Sequence, residues 1–277
     1  MPKQLLELIS AKLGPKSRAW SLSICGGEAW ALMGPAASGK SHWLEMVMGH
    51  KDPSSGGVRR RGKIVEADID IGLRATPESV AAVHSSKSQL EARAEVLTLL
   101  GLWDLRKTAI PKLTETQKDA CRLLPVLLSS AEVLCIDGTL DRIDPWLLAL
   151  VIGRLQERCR LGSALICATA RPDIAENFSH LALLEKGSPA YSGTIADFIA
   201  TAAPTELVVK TQDHQCVASI AKPFRVEAES TEVGVRLRAA EGQELAARLL
   251  VEGYGRVESV LVSESTLGQA LASQRGI

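Results

Sequence analysis

The sequence predicts an α/β protein with a mostly parallel, buried sheet, followed by a small α+β domain. Three observations carry that prediction. A glycine-rich turn, Gly34-Pro35-Ala36-Ala37-Ser38-Gly39-Lys40-Ser41, joins a strand-like run to a helix-like one. Short apolar runs then alternate with helical stretches to about residue 203: Glu132 to Ile136, Ala164 to Ala168 and Leu181 to Leu184, with helical spacing over Trp146 to Arg158. Runs this uniformly apolar suit strands covered on both faces. Beyond Ala202-Ala203-Pro204, which reads as a linker, the apolar pattern turns to alternation.

The turn is the chemically informative stretch. Two glycines four residues apart, followed by lysine and serine, fit the phosphate-binding loop of P-loop NTPases. Gly34 and Gly39 let the backbone bring its N–H groups up to phosphate oxygens. Lys40 reaches the outer phosphates, and the Ser41 hydroxyl ligates Mg²⁺. Ala29 to Met33 reads as the strand before the loop. His42 to Met48 reads as a helix whose N-terminus faces the anion. The candidate nucleotide-binding residues are therefore Gly34, Pro35, Ala36, Ala37, Ser38, Gly39, Lys40, Ser41 and His42. The apolar strand Val133 to Asp137 ends in a carboxylate suited to hold Mg²⁺ with Ser41. The expected ligands are ATP and Mg²⁺.

Composition narrows the partners. Of 277 residues, 32 are Lys or Arg and 32 are Asp or Glu, so the net charge is zero. A broad electrostatic attraction to nucleic acid is not expected. The one basic run, Arg59-Arg60-Arg61, reads as a solvated hairpin between Gly57 and Gly62. None of the six cysteines forms a Cys-x-x-Cys pair, which points to reduced thiols in a cytosolic protein. With no signal peptide and no apolar run of ~18 residues, membrane attachment is expected only through a partner.

In the tail, Leu207 to Thr211 reads as strand, Gln215 to Ala221 as helix, and Phe224 to Ala228 and Val233 to Arg238 as paired strands. Glu241 to Glu252 reads as an amphipathic helix and Val257 to Ser263 as a strand, with a last helix over Leu267 to Ser273. That order, βαββαβ, is the split βαβ or ferredoxin-like arrangement. The expected domains are residues 1–203 and 204–277.

Further landmarks surround the loop. Leu113-Thr114-Glu115-Thr116-Gln117 opens a helix before the Asp137 strand, and Asp144-Pro145 follows it. Thr169-Ala170-Arg171-Pro172-Asp173, then Glu185-Lys186-Gly187 and Ser192-Gly193-Thr194, come after. In order and spacing this series resembles the nucleotide-binding subunit of ABC transporters over residues 1 to about 200. The tail, closing on Glu264-Ser265-Thr266-Leu267, looks like the extension of the drug- and polysaccharide-exporter branch. The resemblance implies an ABC-type ATPase domain, cytoplasmic and held on the inner face of the membrane by an integral membrane transporter subunit. It implies a homodimer, or a heterodimer with a second ABC-type ATPase, with Asp144 in the dimer-contact loop.

The departures concern hydrolysis. The family's signature, Leu-Ser-Gly-Gly-Gln, has Thr114 for its serine and keeps Gln117, but Glu115 and Thr116 replace its glycines. Read from the residues alone, Thr114-x-x-Gln117 is equally a helix capping box. The family's general-base glutamate position is Gly138, and its switch histidine aligns with Ala170. Its coupling glutamine should fall near Thr76; Gln89 lies too far on. Pro125 should kink the helix after the signature. No aromatic is placed to stack on adenine, and Trp20 reads as core. A missing general base costs roughly 10²–10⁴ in rate. The expectation is ATP–Mg²⁺ binding with impaired hydrolysis. An active export motor and a non-hydrolysing regulatory subunit beside an intact ATPase are the alternatives, and a nucleotide kinase is a more distant one.

Overall fold

The computed structural model describes residues 3–68, 74–86, 88–202, 205–224, 226–231, 234–239, 241–263 and 265–274. The chain forms two compact units, Met1–Gly193 and Thr194–Ile277. The first runs β1 (Gln4–Lys12), β2 (Trp20–Cys25), β3 (Ala29–Met33), α1 (Lys40–Met48), β4 (Ser55–Arg60), β5 (Ile64–Glu66), α2 (Pro77–His84), α3 (Leu90–Leu99), α4 (Glu115–Arg122), α5 (Leu124–Leu128), β6 (Val133–Asp137), α6 (Pro145–Arg160), β7 (Ala164–Ala168), α7 (Pro172–Ala175), β8 (His180–Glu185) and β9 (Ser188–Thr194).

Its main sheet has the order β5-β6-β7-β3-β8-β9. The pairs β5–β6, β6–β7, β3–β7 and β3–β8 are all parallel. Every residue of β3 and β7 is buried, as central strands covered on both faces require. A second, antiparallel sheet has the order β2-β1-β4. Between the two sheets Trp43 of α1 is fully buried, with the Trp20 ring edge-on to it at 4.8 Å. Trp20 is thus a core residue. Five cysteines are buried and Cys25 is partly so; all six are free thiols. Burial pushes the Cys121 thiol up to about 12 and Cys159 to about 11, with Cys135 and Cys167 raised as well.

Two local expectations are corrected. The basic run is not a hairpin, because β4 pairs with β1 across a long connection. Arg60 donates through Nε to Val47 O at 2.7 Å and through Nη2 to Met46 O, so it closes the C-terminal end of α1. Arg59 and Arg61 pair with Glu7. Nor does Pro125 kink a helix. The helix ends at Arg122, and Pro125 sits in the first turn of α5, where its missing N–H costs nothing.

The second unit runs α8 (Ile195–Ala202), β10 (Thr205–Thr211), α9 (His214–Ala221), β11 (Glu227–Thr231), β12 (Gly234–Ala239), α10 (Gly242–Glu252), β13 (Val257–Ser263) and α11 (Leu267–Gln274). Its sheet order is β11-β12-β10-β13, antiparallel throughout, which is the split βαβ arrangement. Leu207, Val209, Val217, Leu237, Leu245 and Leu249 form its core. Lys222-Pro223-Phe224 form a 3₁₀ turn, so β11 starts later than Phe224. Ala203, Pro204, Val233 and Glu264, which the sequence reading used, lie outside the described residues. The units divide before α8, because α8 packs against α11. The sheet face away from the helices carries ion pairs, Arg236 Nε lying 2.6 Å from Glu206 and Nη1 3.9 Å from Glu229.

Trp43→Ala removes the largest fully buried side chain of the first unit. The expected loss is about 3–5 kcal/mol, read from the urea midpoint. A loss below about 1 kcal/mol would show that the two sheets do not depend on this ring.

Candidate nucleotide site

The site forms where the main sheet's strands end. β3 runs straight into the loop at Gly34, whose φ is 149°. A Cβ there would lie 2.3 Å from Leu184 O and 2.6 Å from Ser38 Oγ, so only glycine fits. Ser38 is buried, and its carbonyl accepts the Gly187 N–H at 2.9 Å. The turn between β8 and β9, with left-handed Lys186 and Gly187, therefore braces the loop from behind. Pro35, Ala36, Ala37, Ser41 and His42 are exposed along the rim.

Gly39, at φ 96°, is the N-cap of α1 and supplies no side-chain cap. The first-turn N–H groups of α1 stay open to an anion, and the helix dipole favours one there. Lys40 Nζ donates to Gly34 O at 2.8 Å and to Pro35 O at 3.0 Å. Burial pushes its ammonium below the usual lysine range, while Asp137 and Asp141 push it back up. These donors form a cradle that fits a phosphate chain. No cluster of three or more His, Cys, Asp or Glu that could cage a metal occurs among the described residues. Mg²⁺ needs no such cage, since it is held by one or two protein oxygens plus phosphates. Ser41 and Asp137 would be those protein ligands.

Asp137 ends β6, one strand away from β3, and β7 fills the gap. The ends of the three strands thus bring the loop, Asp137 and Thr169-Ala170 side by side. Gly138 follows in the left-handed region at φ 65°, and Thr139–Arg142 make a 3₁₀ turn. Ala170 presents only its backbone: its N–H donates to Asp141 Oδ2 at 3.0 Å, and the Thr169 hydroxyl donates to the other oxygen. Asp144 caps α6 through the Leu147 N–H at 2.9 Å.

Thr114 and Gln117 form a complete capping box on α4. Thr114 Oγ1 accepts from Gln117 N at 3.3 Å, and Gln117 Oε1 accepts from Thr114 N at 3.0 Å. Glu115 is exposed and pairs with Lys118 at 2.7 Å. Thr76 is likewise a helix N-cap, with Ser79 as its partner, and Gln89 starts α3 by accepting from Ser86 N. The strand end in that region is Glu66, which pairs in register with Cys135. Burial raises the Glu66 carboxyl above its usual range; His50 opposes this, while Asp68 and Asp137 add to it.

Sequence reasoning missed Asp119, Asp141, Arg142 and Glu66. Asp119, on the buried side of α4, accepts Arg142 Nε and Nη2 at 3.0 Å each, together with Arg122 Nη1. Burial works to raise its carboxyl, but the hydrogen bonds from Arg142 and Arg122 outweigh it and leave the group below its usual range. The one available signal was a charged residue on an otherwise small or apolar face of α4, where Asp119 is buried beside Ala120 and Cys121.

Residues 18–140 match the family model described as ABC transporter. The thiamine import ATP-binding protein of Mesorhizobium japonicum is 26% identical over 227 residues, covering 72% of this chain and 87% of that protein. The Nod factor export ATP-binding protein I of Paraburkholderia xenovorans is 26% identical over 227 residues, covering 73% and 74%. Among solved structures, an ATP-binding subunit of an ABC transporter superposes with a TM-score of 0.66 at 18% identity, over 71% of this chain and 92% of that one. A dimeric ATP-binding cassette bound to ADP and Pi gives 0.59 at 18% identity, over 69% and 98%. Importers stand beside an exporter among these relatives.

Gly138→Glu puts a Cβ on a residue held in the left-handed region, which costs roughly 1–2 kcal/mol. Its Cβ would lie 3.7 Å from Arg142 Nη1. Denaturant melts are expected to show that loss. Stability equal to wild type would mean that residue 138 leaves the left-handed region.

Proposed function

We propose that this chain, whose residues 18–140 match the ABC transporter family model, is an ATP-binding subunit of an ABC transporter that binds ATP–Mg²⁺ and hydrolyses it slowly or not at all. The observation that carries the reading is one contrast. The loop Gly34–Ser41 keeps its glycines, lysine, serine and open helix N-terminus, while Gly138 and Ala170 offer no base and no imidazole beside it.

In this reading the amides at the start of α1 and the Lys40 ammonium hold the phosphate chain. Lys40 exchanges its two loop carbonyls for phosphate oxygens. Ser41 and Asp137 would hold Mg²⁺, which neutralises the triphosphate charge when bound. Asp141 fixes the loop after β7 by holding Thr169 and Ala170, and so keeps its backbone beside Asp137. Gly138 has no side chain to take a proton from water. Thr114, Glu115 and Gln117 form a helix cap, with Glu115 adding a negative charge where a partner's triphosphate would approach.

Both halves of a composite dimer site are altered, one by Gly138 and the other by Glu115 and Thr116. This favours ATP as a structural or regulatory ligand, with the chain paired to its twin or to a second ABC-type ATPase beneath a membrane subunit. Among the described residues no helix is long and apolar enough to cross a membrane. The split βαβ unit favours the exporter branch and serves association, leaving the phosphate site to the first unit.

Calorimetric titration with Mg–ATP should give saturable binding that Lys40→Ala weakens at least tenfold. Unchanged affinity in that variant would refute the loop assignment. Phosphate release by wild type should stay well below ~1 s⁻¹, a common enzymatic rate; faster turnover makes the chain a working motor. Truncation after Gly193 should lower dimer content in light scattering while sparing ATP affinity. A truncated chain that stays equally dimeric places the association surface in the first unit.

A further inference from the structure

We propose that Arg142, fixed by the buried Asp119 carboxylate, is a phosphate-contacting cation that takes the outermost phosphoryl group of a bound nucleoside triphosphate. The inference rests on the nucleotide-binding reading above and deepens it. It begins with the way the arginine is held. Nε donates to Asp119 Oδ2 and Nη2 to Oδ1, both at 3.0 Å, a two-pronged grip that fixes the guanidinium plane. The Asp119 side chain is only 6% exposed, whereas that of Arg142 is 49% exposed. One end of the pair is thus anchored in the protein and the other faces outward.

The remaining nitrogen decides the direction. Nη1 takes no part in the grip and lies 3.7 Å from where a Cβ on Gly138 would stand. Gly138 directly follows Asp137, so the guanidinium edge occupies the space beside the proposed Mg²⁺ ligand. Asp137 and Asp141 hold both the Lys40 ammonium and the Arg142 guanidinium toward the charged form, so the two cations share the same pair of carboxylate neighbours. A planar guanidinium matches phosphate oxygens in two-pronged fashion, and a held one loses little rotamer freedom on binding.

The chemical consequence is a ground-state clamp. A cation beside residue 138 binds the terminal phosphoryl oxygens but accepts no proton from water. Interactions equally strong before and during reaction tighten binding without speeding it. The site should accordingly prefer a triphosphate to a diphosphate, and Arg142 should carry much of that preference.

The test uses the full chain and calorimetric titration with Mg–ATP, with Mg–ADP, and with inorganic phosphate in the presence of ADP. Arg142→Gln should weaken ATP about tenfold and leave ADP within about twofold, the scale of one charge-assisted hydrogen bond. Arg142→Lys should keep part of the preference. Since Arg142→Gln leaves Asp119 with Arg122 alone, the double variant Asp119→Asn/Arg142→Gln provides a form without that buried charge, and it should show the same loss. An ATP-over-ADP preference unchanged in either form overturns the inference, as does an equal loss for both nucleotides. Inorganic phosphate binding alongside ADP and lost in Arg142→Gln, with ATP affinity unaffected, also overturns it, because the arginine then serves free phosphate. If Lys40→Ala binds both nucleotides as wild type does, the underlying reading falls and this inference with it. If binding depends on Lys40 but not on Arg142, only the inference falls.

Discussion

The structure of the first unit depends on how closely the phosphate loop meets the turn that follows β8. Gly34 lies under the Leu184 carbonyl, Ser38 shares its own carbonyl with the Gly187 amide, and the Trp43 indole reaches Gly187 O at 3.3 Å. These contacts are made by the protein alone and hold the loop in its left-handed conformations, at Gly34, Ala37 and Gly39. A loop shaped in advance loses less entropy when an anion arrives. The same contacts carry Trp43 into the seam between the two sheets, so the binding loop and the core share one support.

A second consequence of the sheet order is the separation of roles. The loop belongs to β3 and the metal-side carboxylate to β6, with β7 between them. Whatever lies at the end of β7 is necessarily central. Here that place holds Thr169 and Ala170, and both are tied to Asp141. From there the polar contacts continue outward: Arg142, one residue on, reaches Asp119, which Arg122 also holds. Helix α4 is thereby fastened by charge to the turn that follows Asp137.

Much of this was legible in the sequence because it is local. Ala29–Met33, Val133–Asp137 and Ala164–Ala168 are short apolar runs, and each forms a strand with those bounds. Thr114 and Gln117 make the cap that their spacing implies. The βαββαβ order of the tail gave the correct sheet, since two hairpin-compatible strands between two helices leave few pairings. What was not legible depends on partners remote in the chain. Arg60 looked like part of a solvated turn because nothing nearby shows that α1 ends against it. Asp119 and Arg142 lie on different elements, and only packing makes them a pair. The resemblance puts a coupling position near Thr76, whereas the strand beside β6 ends at Glu66, and β5 is too short to announce itself.

The thiols have a use that follows from their placement. Cys135 and Cys167 lie on neighbouring strands in the interior of the main sheet, and burial keeps both protonated. A thiol reacts as its thiolate, so these two are silent to alkylating reagents while the sheet is intact. They can react only in molecules whose sheet has opened, and slow alkylation then becomes a clock for opening. Each strand end that shapes the phosphate cradle belongs to that sheet. The rate at which Cys135 and Cys167 are modified thus measures how long the cradle survives between openings, and a ligand seated in it would slow the clock.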